Sequence, residues 1–468
     1  MQKAQFGMIG LGTMGRNLVL NMVDHGFSVA GYDRSADQLN RLLEEGKGKA
    51  VKALPTMAEF VNSLETPRRI MMLVPAGKIV DAVIDEISPL LQKGDILIDG
   101  GNSHYTDTDA RIARLVPTGI HFTGMGVSGG EDGARLGPSM MPGGNINGYA
   151  ELKNILEKIA AQTDEGPCVT FVGNGSAGHY TKMVHNGIEY AIMQLISEVY
   201  AILKNAAGCG NDELHTIFAD WNKGALQSFL VEITASIFLQ PDDVDSSKRL
   251  VDMILDRAAQ KGTGMWTSES ALELHIPAPA IDEAVAARDL SAYKKERELI
   301  DAFRSATSIK TVTDKKQLIQ DLHDALYFGM AASYIQGLHL LQSASDAYKY
   351  EINIAEVARI WKGGCIIRSV MLNDIRKAYV GNSSLKNLLT DKVFYNLLEQ
   401  KRAGLVNALK TGMDNKIAMP VLSSSLSYFD MFSTGRSGSN LIQAQRDLFG
   451  AHTYQRIDRE GNFHTNWS

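Results

Sequence analysis

The stretch QFGMIGLGTMGRNLVLNMVDHGFSVAGYD, residues 5–33, decides the fold. Residues 5–10 form a short apolar run, Gly10, Gly12 and Gly15 punctuate the turn after it, and a helical pattern runs from Met14 to His25 and stops at Gly26. FSVAGYD then reads as a second strand. In SADQLNRLLEEG, Ser35 is placed to cap a helix that closes at Gly46. Two strands joined through a helix must run parallel, so the unit predicts a parallel sheet.

Working outward, RIMMLVP (69–75), DILIDGG (95–101) and HFTGMGV (121–127) are further strand candidates, and they alternate with helical stretches such as KIVDAVIDEISPLL. Such alternation predicts an α/β, doubly wound, mostly parallel sheet of the Rossmann type. Beyond about residue 178 helix-periodic segments take over and strand-like runs nearly vanish. The glycine-rich VGNGSAGH (172–179) marks the change. The expected division is a dinucleotide-binding domain over 1–177, a large all-α domain over 178–434 and a C-terminal tail over 435–468.

A chain of 468 residues exceeds what one hydrophobic core normally supports, so two or three domains are expected. Apolar residues at 44% and charged residues at 21% describe an ordinary globular protein. A net charge of -6 without a basic run argues against a nucleic-acid surface and leaves anions to be caught by a few placed cations. Cys168, Cys209 and Cys365 are widely separated and lack metal-ligand spacing, which predicts free thiols and no metal site. No leader-like segment or membrane-length apolar stretch is visible, and a cytoplasmic location is expected.

Gly10, Gly12 and Gly15 complete G-x-G-x-x-G where a strand becomes a helix. That pattern gives a tight turn, close backbone approach to a pyrophosphate, and close packing of helix on strand. Asp33 closes the second strand, where a carboxylate meets a ribose 2'-hydroxyl, while the neighbouring Arg34 suits a 2'-phosphate. The choice between NAD and NADP stays open on this pair, with solvated strand-end charges as the competing reading. Farther on, Lys182, His185, Asn186 and Glu189 fall at i, i+3, i+4 and i+7 and share one helix face. A salt-bridged surface stripe is the alternative there. The glycine-dense IDGGNSHY (98–105) and MGVSGGEDGARLGPSMMPGG (125–144) follow strands, at the sheet edge where ligands bind, although flexible surface loops have the same composition.

IDGGNS, GVSGGEDGA, GPSMMPGG, GHYTKMVHNGIEY, QKGTGMW, WKGGCIIRS and QAQRDLFGAHTY resemble, in order and across nearly the whole chain, the motifs of the 6-phosphogluconate dehydrogenases. The length and the RDLFGAHTY tail are similar to the long-chain form. The resemblance implies oxidative decarboxylation of a phosphorylated sugar acid with NADP, Lys182 as general base and Glu189 as general acid. It puts His185, Asn186, Asn102, Ser128, Gly129 and Gly130 around the substrate, and Tyr190, Lys261, Thr263 and Arg288 around its phosphate. Arg446 and His452 would reach the substrate from the partner's tail, making a homodimer. On the cofactor side it implies Gly10, Leu11, Gly12, Thr13, Met14, Gly15, Asp33, Arg34, Ser35, Val74, Ala76 and Asn102. Many members have alanine at the position of Gly12 and asparagine at that of Asp33, so NAD or dual use is also implied. A shorter, non-decarboxylating β-hydroxyacid dehydrogenase and a catalytically silent nucleotide-binding protein are the other readings.

Overall fold

The computed structural model describes residues 3–303, 312 and 314–467. It opens with β1 (Phe6–Ile9), α1 (Thr13–Asp24), β2 (Val29–Tyr32), α2 (Ala36–Glu45), β3 (Val51–Leu54) and α3 (Met57–Asn62). Next come β4 (Arg69–Met72), α4 (Lys78–Ile87), β5 (Ile96–Asp99), α5 (Tyr105–Leu115), β6 (His121–Ser128), α6 (Gly130–Leu136), β7 (Ser139–Gly144) and α7 (Ile146–Ile159). A small hairpin, β8 (Gln162–Thr163) and β9 (Gly166–Pro167), precedes β10 (Gly173–Asn174). The main sheet has the order β10-β7-β6-β5-β4-β1-β2-β3, parallel except for the β6–β7 pair. This is the doubly wound sheet expected, with the strand order reversing at β1.

Alternation along the strands explains why both faces carry helices. Phe6, Met8, Met71, Ile96 and Ile98 point to one face and bury against Leu18, Val19 and Met22 of α1 and Leu152 and Leu156 of α7. Ile9, Ala30, Ile70, Met72 and Leu97 point to the other, against Phe60 of α3 and Val80, Ile84 and Ile87 of α4. Each of these side chains larger than alanine contributes about 1.5–3 kcal/mol when removed from water. The two-residue strands, β8–β10 here and two more near the C-terminus, escaped the sequence reading, and so did two longer ones. β3 is only half-buried along its length, so VKAL lacks a continuous apolar signature. β7 is SMMPGG, whose proline and glycines resemble a loop although the strand is almost wholly buried. Ser35 stands at the N-cap of α2 as expected, yet its hydroxyl makes no capping bond; its N–H donates to Asp33 Oδ1 at 2.9 Å.

The helical part comprises α8 (Ala177–Asn205), α9 (Asn211–Trp221), α10 (Phe229–Ile237), α11 (Leu250–Met253), α12 (Thr263–Glu273), α13 (Pro279–Ser291) and α14 (Lys294–Asp301). It continues with α15 (Lys315–Tyr348), α16 (Ile354–Ile360), α17 (Met371–Gly381), α18 (Lys392–Asp414) and α19 (Pro420–Phe432). Starts of α15, α16 and α18 are set by Asp314, Asn353 and Asp391, whose side chains accept a backbone N–H of the first turn. The long, buried α8 packs on β6, β7, α12, α13 and α15. Its first turn meets the sheet without a side-chain layer: a Cβ on Gly178 would overlap Gly124 O and Met141 O, and one on Gly126 would overlap the Cβ of Lys182. Residues Met1–Ser425 form one compact unit and Leu426–Ser468 another. The second contains α20 (Ser439–Gly450) and the hairpin β11 (Tyr454–Gln455) and β12 (Asn462–Phe463). Among the described residues no helix is long and apolar enough to cross a membrane.

Candidate active site

On α8 the four polar residues of the expected stripe lie together. Lys182, His185 and Asn186 are buried and Glu189 is partly so. Lys182 Nζ is 3.4 Å from His185 Nδ1, which lies 3.1 Å from Asn186 Oδ1 and 3.8 Å from Glu189 Oε2. His185 Nε2 lies 3.2 Å from Ser128 Oγ, and Asn186 donates to Thr263 Oγ1 at 3.1 Å. A ring proton on Nδ1, given to Asn186, leaves Nε2 to accept from the Ser128 hydroxyl. Trp361 meets the His185 ring edge to face at 5.6 Å.

Burial dominates the electrostatics. It lowers the pKa of Lys182 against the opposing pull of the Glu189 carboxylate. It raises that of Glu189 against the nearby charges of Lys182 and Arg288. His185 is driven well below its ordinary value by burial and then by Lys182. Neutral amine, neutral imidazole and neutral carboxylic acid are therefore all favoured relative to water. Cys365, whose sulfur donates to Trp361 O, also faces Lys182; burial pushes its thiol up to about 12, which leaves it unreactive. All three cysteines are unpaired and buried.

Two loops converge at the carboxyl ends of the strands. Asn102 is exposed in the turn between β5 and α5, and the turn is pinned from beneath by Asp99, which accepts from Gly101 N (3.0 Å), Ser103 Oγ (2.6 Å) and Arg111 (3.3 Å). Arg111, 2% exposed, also donates to Asp81 and, at 3.0 Å, to Gly77 O. One guanidinium thus fastens both the Asn102 turn and the loop bearing Val74 and Ala76. Sequence reading missed it because its partners lie up to 34 residues away. Gly129 and Gly130 hold left-handed backbone where β6 passes into α6.

At the same carboxyl edge, beyond β1, β2 and β4, a cavity of about 290 Å³ is lined by Gly10, Gly12, Asp33, Arg34, Val74 and Glu86, among others. Gly10 has φ +89° and nothing lies within 4 Å of a Cβ placed on Gly12, so backbone is bare to a ligand there. Thr13, Met14 and Gly15 form the first turn of α1, whose unpaired N–H groups favour an anion. Asp33 Oδ2 accepts from Leu11 N at 2.8 Å. Leu11 itself is buried in the core, so its side chain lies away from the cavity. Arg34 is ion-paired to Glu86 at 3.0 Å, an exposed partner that sequence spacing did not reveal.

The remaining expected residues divide. Arg288 lies over the Tyr190 ring at 3.4 Å, beside Glu189, and Thr263 begins α12 within bonding distance of Asn186. Lys261 is exposed just before α12. Arg446 and His452 belong to the second unit, exposed on and just after α20. Among the described residues no three His, Cys, Asp or Glu gather as a metal site would require.

Two family models match between them almost the whole chain: the NAD binding domain of 6-phosphogluconate dehydrogenase over residues 5–173, and the 6-phosphogluconate dehydrogenase C-terminal domain over residues 178–467. The NADP(+)-dependent, decarboxylating 6-phosphogluconate dehydrogenase of Bacillus subtilis (strain 168) is 50% identical over 468 residues, covering all of both chains. A decarboxylating 6-phosphogluconate dehydrogenase of Synechococcus elongatus is 48% identical over 466 residues, 99% of each. Among solved structures, a Plasmodium falciparum 6-phosphogluconate dehydrogenase, studied as apo form, with NADP+ and with 6-phosphogluconate, superposes with a TM-score of 0.96. It is 43% identical, with 99% of this chain and 100% of that one covered.

Proposed function

This chain belongs to the 6-phosphogluconate dehydrogenase family, and from that premise we propose that it converts 6-phospho-D-gluconate to D-ribulose 5-phosphate and CO2 with reduction of NADP. The observation that carries the chemistry is the buried Lys182, its pKa lowered, on the same face of α8 as Glu189, whose pKa is raised. The open Gly12, the α1 N-terminus and Arg34 fit a dinucleotide, and Asp33 leaves room for NAD as well. When bound, the nicotinamide supplies the hydride acceptor.

Neutral Lys182 takes the proton of the substrate's C3 hydroxyl. The resulting ammonium then hydrogen-bonds the C3 ketone, so that the pair of electrons left by departing CO2 is accepted as an enediol. Glu189, held as an acid by its surroundings, delivers a proton to C1 of that enediol. His185, Asn186 and Ser128 orient the sugar acid with Asn102, Gly129 and Gly130, while Tyr190, Lys261, Thr263 and Arg288 take the phosphate. Arg446 and His452 come from the tail of a second copy in a cytoplasmic homodimer. That arrangement is supported by α20, where Leu441, Ile442, Leu448 and Phe449 are 59–72% exposed, an apolar face that needs a partner. The division at residues 177/178 and 434/435 belongs to the same reading.

The test is absorbance of reduced cofactor on mixing protein with 6-phosphogluconate and NADP or NAD, with CO2 followed in parallel. Reduction matched by CO2 is expected. Reduction without CO2 would favour a non-decarboxylating β-hydroxyacid dehydrogenase, and no reduction a silent nucleotide-binding protein.

A further inference from the structure

On α20 the apolar residues are exposed and the buried one is a carboxylate, Asp447. Its Oδ1 accepts from Thr453 N (2.9 Å) and His464 Nδ1 (2.9 Å), and its Oδ2 from Thr465 N (3.1 Å) and Trp467 Nε1 (2.8 Å). Its backbone carbonyl accepts from Ala451 N. Burial opposes ionisation, yet the donors of His464, Thr465 and Trp467 hold the carboxyl down at about 2, so it is charged. Two of these bonds, from Ala451 N and Thr453 N, hold the turn that carries His452, and the other three tie the C-terminal segment to the same carboxylate. In that turn Ala451 (φ 48°) and Thr453 (φ 58°) are left-handed without being glycine, a conformation that persists only where surrounding bonds impose it. Gln443 completes the set: its amide N–H donates to Thr453 O, and its oxygen accepts from Arg446 at 3.2 Å.

We propose that Asp447, with Gln443, is a positioning residue that fixes Arg446 and His452 in the mutual geometry needed to grip a phosphorylated sugar acid in the partner's site. The inference rests on the reading that those two residues reach the partner's substrate. Arg446 sits on the helix and His452 beyond its end, so nothing in the local chain alone fixes their separation. Asp447 ties the two segments together, and the hairpin and Trp467 brace it from behind.

The experiment is steady-state kinetics of Asp447→Asn, Gln443→Ala, Arg446→Ala/His452→Ala and the combined variants, with dimer content measured by sedimentation. Asp447→Asn, which keeps the shape but turns a donor toward donors, is expected to raise KM for 6-phosphogluconate about tenfold while KM for NADP stays put. Gln443→Ala gives a smaller rise in the same constant and answers the question if the Asn variant does not fold. In the Arg446→Ala/His452→Ala background, Asp447→Asn should add nothing to KM. Additive effects, or a normal KM in both Asp447→Asn and Gln443→Ala, would overturn the proposal. A normal KM in Arg446→Ala/His452→Ala would instead bring down the reading beneath it.

Discussion

The nucleotide end of the sheet and the catalytic face of α8 handle charge in opposite ways. At the nucleotide end the ligand-facing groups are largely backbone, and the charged side chains, Arg34 and Glu86, stand in solvent paired with each other. On α8 the working groups are side chains, Lys182 and His185 buried and Glu189 partly so, and burial itself sets the direction of their pKa shifts. Water screens the first set and reaches the second far less, so the same size of chemical edit should cost far more on α8.

Lys182→Ala is the strongest test of that contrast: kcat should fall by about a thousandfold or more while NADP affinity, measured by fluorescence titration, is unchanged. Near-normal turnover would break the comparison at its root. Glu189→Gln should lower kcat by about a hundredfold. The base must be deprotonated and the acid protonated, so activity rises with pH as Lys182 loses its proton and falls as Glu189 loses its own. The Gln variant should lack the alkaline fall, and a pH profile that keeps it would remove Glu189 from the acid's role. At the other end Asp33→Asn should raise the ratio of kcat/KM for NADP over NAD by about tenfold, since a carboxylate beside the 2'-phosphate is removed. An unmoved ratio would mean that Asp33 serves only Leu11 and Ser35. The smallest effect belongs to Glu86→Gln, which releases Arg34 for a phosphate. An exposed ion pair is worth at most about 1 kcal/mol, so the same ratio should rise by less than about fivefold.

What the sequence made legible follows the range of the interactions involved. G-x-G-x-x-G and the i, i+3, i+4, i+7 stripe are local patterns, and both led to the right elements. β7 was illegible because the close seat of α8 demands glycine beside it, and that demand erases the apolar, β-branched signature of a strand. Ser35 does stand at the N-cap of α2, and what its residue type cannot tell is that its hydroxyl makes no capping bond. Leu11 stands inside the glycine motif and yet faces the core, something a motif cannot tell. Arg111 and Glu86 were invisible since each acts through a partner 30 or more residues distant. Asp447 hid in plain view: an acid amid Leu448 and Phe449 looks like a solvated helix position until the hairpin and Trp467 close over it.

The seam where Gly178 and Gly126 bring α8 onto β6 and β7 also bears on motion. Sliding between layers needs side chains that can hop rotamers, and here backbone lies directly on backbone. The start of α8 and these two strands should therefore open and close their amides to exchange as a single cooperative block, with no hinge beneath the lysine.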